Sequence, residues 1–91
     1  MKISVIIPVF NEEKYILDVL NSVNKEKSKY NLEIIIVDDN STDNSRKIID
    51  NNSHLYDHKI FKKQNEGKGS AIISGIEKVS GEYVLIQDSD L

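Results

Sequence analysis

The sequence predicts an α/β fold: a doubly wound, mainly parallel sheet in the order β-α-β-α-β-α-β. Three observations predict it. Apolar runs at 2–7 and 32–37 are β-branched and too continuous for strands with one wet face, so they read as central strands covered on both sides. Between the runs lie segments whose apolar residues recur at helical spacing. The connections are short, with no internal repeat or low-complexity stretch, so each strand feeds a crossover helix with a right-handed return.

The first strand carries Ile3, Val5, Ile6 and Ile7, and Pro8 is expected to end its pairing because proline has no N–H for the ladder. Asn11 reads as an N-cap, with Glu12 and Glu13 in a first turn that suits negative charge; Ile16, Val19, Leu20 and Val23 then give a helix over 12–24. Residues 24–31 are a lysine- and serine-rich connection. The second strand, 32–37, ends in Asp38 and Asp39, and residues 40–43 supply cap chemistry for a helix reaching about residue 51. A polar loop over 51–58 leads to a short strand at 59–62, placed near an edge. Gly67, Gly69 and Ser70 open a third helix with a stripe of Ala71, Ile72, Ile76 and Val79, and Gly81 is expected to close it as a C′ glycine. Tyr83 to Ile86 then read as a short buried strand running into Asp88 and Asp90.

Composition narrows the function. Ninety-one residues allow at most one small domain, and 38% hydrophobic with 30% charged residues fits a globular chain. The net charge of −3, with lysines scattered among acids, argues against a nucleic-acid partner, which needs a concentrated basic face. There is no cysteine, so disulfides and thiolate metal sites are excluded. The start, MKISVIIPVF, meets Asn11-Glu12-Glu13 with no small-residue cleavage site, and reads as a strand rather than a signal peptide. No apolar run approaches the roughly 20 residues that span a bilayer.

Chemistry gathers where strands end. Ligands of open α/β sheets sit outside the carboxyl ends of the strands, and three of those ends carry unusual residues: 8–12, Asp38-Asp39, and Asp88 with Asp90. In an extended chain, residues i and i+2 share a side, so Asp88 and Asp90 can address one hard cation such as Mg²⁺ or Mn²⁺. Asp38 and Asp39 point to opposite faces; one suits a base N–H or a ribose hydroxyl, and the other a helix cap or a loop brace. Lys68, at a helix start, adds charge to amides that attract anions. Familiar phosphate loops are absent: residues 8–13 contain no glycine, position 72 is Ile where G-x-G-x-x-G needs its third glycine, and position 62 is Lys where a P-loop needs glycine. His54 and His58 have helical metal spacing but lie in an Asn- and Ser-rich loop, and read as surface residues.

Four stretches then fall into one pattern: Ile6-Ile7-Pro8-Val9-Phe10-Asn11-Glu12-Glu13, Val37-Asp38-Asp39-Asn40-Ser41-Thr42-Asp43, Asn65-Glu66-Gly67-Lys68-Gly69-Ser70-Ala71, and Gly81-Glu82-Tyr83 through Gln87-Asp88-Ser89-Asp90. Together they resemble the family 2 glycosyltransferases with the GT-A fold. The nearest likeness is to the dolichyl-phosphate mannose synthase-like branch, whose metal motif often reads Q-D-A-D. The resemblance covers the whole chain and implies a Rossmann-like nucleotide-binding half, acting in inverting transfer of a sugar from a UDP- or GDP-linked donor. It implies that Pro8, Phe10 and Glu12 line the nucleoside pocket and that Val37 and Asp39, or Asp38, contact base or ribose. Asp88 and Asp90 would hold Mg²⁺ or Mn²⁺ and the sugar nucleotide, with Ser89 beside them. Phe10 stands where the mannose synthases commonly have tyrosine, and Ser89 where alanine is usual.

In that family the acceptor half, with its general base, follows the metal motif. Residues 1–91 are therefore expected to be the nucleotide-sugar-binding part of a domain truncated just after D-x-D, inactive alone, and prone to self-association through an unpaired edge of the last strand. The implied acceptor is a polyprenyl phosphate or a glycan. The expected location is cytoplasmic, or the cytoplasmic face of a membrane where downstream helices anchor the protein. Two other readings compete with it: a sugar nucleotidyltransferase, whose glycine-rich loop after the first strand is missing here, and a non-catalytic nucleotide-binding or interaction module.

Overall fold

A computed structural model describes residues 1–90. Its elements are β1 (Lys2–Val9), α1 (Ile16–Lys25), β2 (Asn31–Asp38), α2 (Ser45–Asn51), β3 (His58–Phe61), α3 (Lys68–Ile76) and β4 (Tyr83–Ile86), with 3-10 turns at Glu26–Ser28 and Ser53–Leu55. The four strands form one parallel sheet in the order β3-β2-β1-β4. The expected α/β architecture is therefore present, with β1 and β2 at its centre.

Strand alternation sends apolar residues to both faces. Val5, Ile7, Val9, Ile34 and Ile36 pack with Ile16, Val19 and Leu20 of α1 and Ile49 of α2. Ile6, Ile35 and Val37 face the other way, against Ala71 of α3. Helices α1 and α2 thus cover one face while the chain steps from β1 to β2 to β3. The connection through α3 crosses the opposite face and delivers β4 to the far side of β1. The winding direction reverses between β1 and β4, and that reversal opens a crevice at their carboxyl ends.

Several expectations need correction. Pairing of β1 does not stop at Pro8: Pro8 and Val9 remain in register with Val37 and Asp38 of β2. On the other side, the carbonyls of Ile6 and Pro8 accept from the Gln87 amide (2.9 Å) and the Ser89 hydroxyl (2.9 Å). The missing proline N–H faces that side, beyond the last β1–β4 pair, where no ladder partner waits for it. Helix α1 begins at Ile16 rather than residue 12. Asn11 has a left-handed φ of 51°, and its side-chain oxygen accepts from the Thr42 amide (2.8 Å), so it ties two loops together instead of capping a helix.

Strand β4 is not buried: Tyr83, Val84, Leu85 and Ile86 are 56, 46, 54 and 38% exposed. It lies at the edge beside β1, where no helix among the described residues covers it. In α3 the buried positions are Ala71 and Gly75, while Ile76 is exposed. A Cβ at Gly75 would stand 2.8 Å from Ile6 Cγ2, so the missing side chain lets α3 settle onto β1. Gly81 lies five residues past the helix and has no positive φ. Its requirement is space, because a Cβ there would meet the Ser4 hydroxyl oxygen at 2.6 Å and the Lys2 carbonyl oxygen and Ser4 nitrogen, both at 2.9 Å.

The amino end of the sheet is held by one buried carboxylate. Glu33 of β2 accepts from the Ser4 hydroxyl (2.8 Å), the Ser80 amide (2.9 Å) and the Ser80 hydroxyl (2.7 Å), with Lys2 at 3.5 Å and His58 at 3.4 Å. His58 is thus the first residue of an edge strand, beside Glu33, rather than part of a loop. Burial alone would push the Glu33 pKa up, but the Ser80 and Ser4 bonds and the Lys2 charge outweigh it and bring it from 4.5 to about 2. A lowered folded-state pKa adds stability above pH 4.5 that is lost as pH falls towards 2. Glu33→Gln is accordingly expected to cost about 3 kcal/mol at neutral pH and to flatten the acid limb between roughly pH 4.5 and 2, measured by urea unfolding across pH. Gly81→Ala should lower stability by about 1–3 kcal/mol in the same assay, because the added methyl would displace the Ser4 hydroxyl, which is bonded to Glu33, and press on two backbone atoms.

Candidate functional site

At the crevice lies a cavity of about 270 Å³ lined by Pro8, Val9, Phe10, Glu12, Asp39, Lys68, Ala71, Asp88, Ser89 and Asp90. Residues from β1, the tip of β2, the start of α3 and the segment after β4 therefore meet along one rim, as the strand-end reading expected. A larger apolar groove of about 320 Å³, with Val5, Val23, Leu32 and Leu85 on its walls, lies on the α1 face and is uncovered core surface.

Each wall has a local cause. Pro8 presents its carbonyl to the Ser89 hydroxyl, which buries Ser89 and fixes the D-S-D segment against β1. The chain bends at Ser89, and with that residue turned inward its neighbours Asp88 and Asp90 are left exposed at the mouth. Asp88 pairs with the Lys68 ammonium, and that contact raises the lysine pKa above its ordinary value. Glu12 is held because its amide donates to the Ser45 hydroxyl (2.9 Å) while its carbonyl accepts from the Ile16 amide (2.8 Å). Its pKa is raised by burial first, then by the charges of Asp90 and Asp43, so the rim concentrates negative charge. Phe10, 44% exposed, offers an apolar ring to the opening.

The two aspartates at the tip of β2 divide as their opposite directions require. Asp39 borders the cavity; its Oδ1 accepts from the Glu66 amide (3.0 Å) and its Oδ2 from the Gly67 amide (2.8 Å). Asp38 is wholly buried and does not line the cavity. Its carboxylate accepts from the Ser41 hydroxyl (2.6 Å), the Ser41 amide (2.8 Å) and Arg46 Nε (2.6 Å). Direct contact of Asp38 with a nucleotide, one of the alternatives read from the sequence, does not fit this placement; Asp38 is the loop brace. Val37 is likewise enclosed in the core below the cavity.

Two residues at the site escaped the sequence reading. Arg46 binds Asp38, donates to the Lys62 carbonyl and stacks over Phe61, with 4.7 Å between the guanidinium carbon and the ring centre. Lys62 is buried beside Asp39, bonded to the Ser70 hydroxyl and paired with Glu66 at 2.9 Å. No spacing rule marks either one. The available signal was the need of two buried acids for cations, which does not specify which lysine or arginine arrives.

Asp88 and Asp90 supply hard oxygen donors on the open side of the cavity, and the Lys68 ammonium already rests on one of them. That donor set fits a small divalent cation completing its shell with water and phosphate oxygens. Among the described residues no three His, Cys, Asp or Glu side chains enclose a cation by themselves.

The family model for Glycosyl transferase family 2 matches residues 4–91. The chain belongs to that family. GlyA of Streptococcus pneumoniae, a glycosyltransferase, is 41% identical over 98% of the chain and 13% of its own length. Dolichol-phosphate mannosyltransferase of Pyrococcus furiosus is 34% identical, covering 100% and 26%. Among solved structures, S. aureus TarS 1–349 in complex with UDP-GlcNAc superposes with a TM-score of 0.86 at 36% identity, over 99% of this chain and 27% of that one. Mannosyltransferase PcManGT from Pyrobaculum calidifontis, in complex with GDP-Man and Mn²⁺, gives 0.79 at 28% identity, over 97% and 27%. The fold is that of the GT-A glycosyltransferases. The chain spans 13 to 30% of the length of the curated relatives it matches first.

Two outcomes follow from this geometry. Arg46→Met should destabilise the fold by about 2–4 kcal/mol in chemical unfolding, because it strands the buried Asp38 charge. Asp90→Asn should lower the Glu12 pKa, and carboxyl-carbon NMR titration should find it closer to, yet still above, the ordinary glutamate value because burial persists.

Proposed function

We propose that this chain is the nucleotide-sugar-binding part of a metal-dependent, inverting glycosyltransferase. The observation that carries the reading is the meeting of Phe10, Asp39, Lys68 and the D-S-D carboxylates around one cavity. Phe10 offers its ring face to a base, and Asp39 offers the free lone pairs of its carboxylate to a base N–H or a ribose hydroxyl. Lys68 and the first amides of α3 attract the diphosphate. Asp88 and Asp90 would hold a divalent cation, whose chemistry is to neutralise charge on the departing diphosphate.

In the transfer itself, an acceptor oxygen forms a bond to the anomeric carbon as the bond from that carbon to the diphosphate oxygen breaks. The electron pair leaves with the nucleoside diphosphate, and configuration at carbon inverts. The protein's part in this stretch is to seat the nucleotide and stabilise the leaving group. No residue of this stretch is assigned as the base that takes the acceptor proton. A polyprenyl phosphate is the acceptor class we favour over a glycan, on the strength of the dolichol-phosphate mannosyltransferase relative.

Calorimetry with UDP and GDP tests the reading. Binding is expected to strengthen about tenfold or more when Mn²⁺ is added, and Asp88→Asn or Asp90→Asn should each remove that increment. Equal binding with and without metal would sink the metal assignment, and no binding of either nucleotide would sink the reading as a whole.

A further inference from the structure

Lys62 is 9% exposed, although lysine is among the residues least often buried unless paired. Its ammonium lies between the tip of β2 and the start of α3. It donates to the Ser70 hydroxyl, pairs with Glu66 Oε1 at 2.9 Å, and stands 3.8 Å from Asp39 Oδ1. Asp39 is itself only 3% exposed, and among the described residues Lys62 is the one cation within 4 Å of it. The amides that complete the Asp39 shell, of Glu66 and Gly67, belong to the turn that Lys62 grips through the Glu66 side chain. Gly67 makes that turn with a φ of +95°, a conformation glycine adopts without strain.

One buried cation thus reaches both sides of the cavity. On one side it compensates the carboxylate proposed to meet the base. On the other it anchors Ser70, two residues after Lys68, at the end of the helix proposed to meet the diphosphate. We propose that Lys62 is a positioning residue of the nucleotide site: it sets the Asp39 carboxylate and the 66–70 turn in one fixed arrangement, so that base recognition and phosphate seating both depend on it. The proposal rests on the nucleotide-binding reading above. It adds a residue that touches no substrate and acts through Asp39 and Ser70.

Removing the ammonium while keeping an apolar stem, as in Lys62→Met, leaves Asp39 a buried charge without a counter-charge. The turn is then expected to loosen, and amide exchange at Glu66 and Gly67 should accelerate by about tenfold or more relative to β1 and β2 amides. Binding of UDP or GDP with Mn²⁺ should weaken by about tenfold, with affinity for Mn²⁺ alone changed less than about threefold, because Asp88 and Asp90 are held by Ser89 and not by Lys62. Lys62→Arg should restore most of both losses. A purely structural lysine would lower the thermal midpoint while leaving the exchange of these two amides in step with the rest of the sheet.

Should Lys62→Met fail to fold, Ser70→Ala removes the hydroxyl partner alone and should give a smaller loss of the same kind. Native-like exchange at Glu66 and Gly67 in a folded Lys62→Met, or in Ser70→Ala where Lys62→Met does not fold, would overturn the proposal. That measurement needs no nucleotide. A wild-type protein that binds neither UDP nor GDP would instead defeat the nucleotide reading, and the exchange data would still decide whether Lys62 positions Asp39.

Discussion

Two adjacent carboxylates closing an apolar strand create a demand that much of this molecule is arranged to meet. Asp38 and Asp39 follow Val37 at the tip of β2, and both are nearly inaccessible to water. Unpaired, each would cost several kcal/mol. Asp38 draws in Arg46 from α2 and Ser41 from its own loop; Asp39 draws in Lys62 from the end of β3 and two amides ahead of α3. Because each acid recruits from a different element, satisfying the charges also fastens those elements around the end of β2. The cavity wall follows from that fastening.

A second set of bonds joins the loop after β1 to the loop after β2. The Asn11 amide donates to the Ser41 hydroxyl and its side-chain oxygen accepts from the Thr42 amide, the Glu12 amide donates to Ser45, and the Glu13 amide donates to Asp43 at 3.1 Å. Both loops contain an asparagine in the left-handed region, Asn11 and Asn40. A short amide side chain tolerates that backbone, and at Asn11 it accepts from the facing loop. The rim of the site is consequently a mesh of short polar residues standing on a rigid β-branched core.

What could be read from the sequence was set by periodicity and by residues whose chemistry is local. The β-branched runs of β1 and β2 had to be central strands, and the site had to lie where they end. Helix α1 starts later than its start signals indicate because Asn11 and Glu12 form long-range bonds to Ser41 and Ser45, which those signals do not encode. The exposure of β4 is not legible for a related reason: an apolar tetrapeptide has the same composition whether or not a helix covers it. Asp38 and Asp39 could be marked as a pair with divided duties, but which one served the cavity depended on where Arg46 and Lys62 arrived. Gly81 had the right identity for the wrong reason, since its constraint is a crowded neighbour strand rather than a handed turn.

Proline at position 8 has an effect out of proportion to its size. Lacking an amide hydrogen, it makes the outer margin of β1 at that point a hydrogen-bond acceptor only. Whatever follows β4 must therefore arrive carrying a donor, and Ser89 does. Once that hydroxyl is committed inward, at a bend in the chain, both flanking acids are left facing solvent, so the carbonyl of a proline on one strand fixes the segment that carries two carboxylates some 80 positions away.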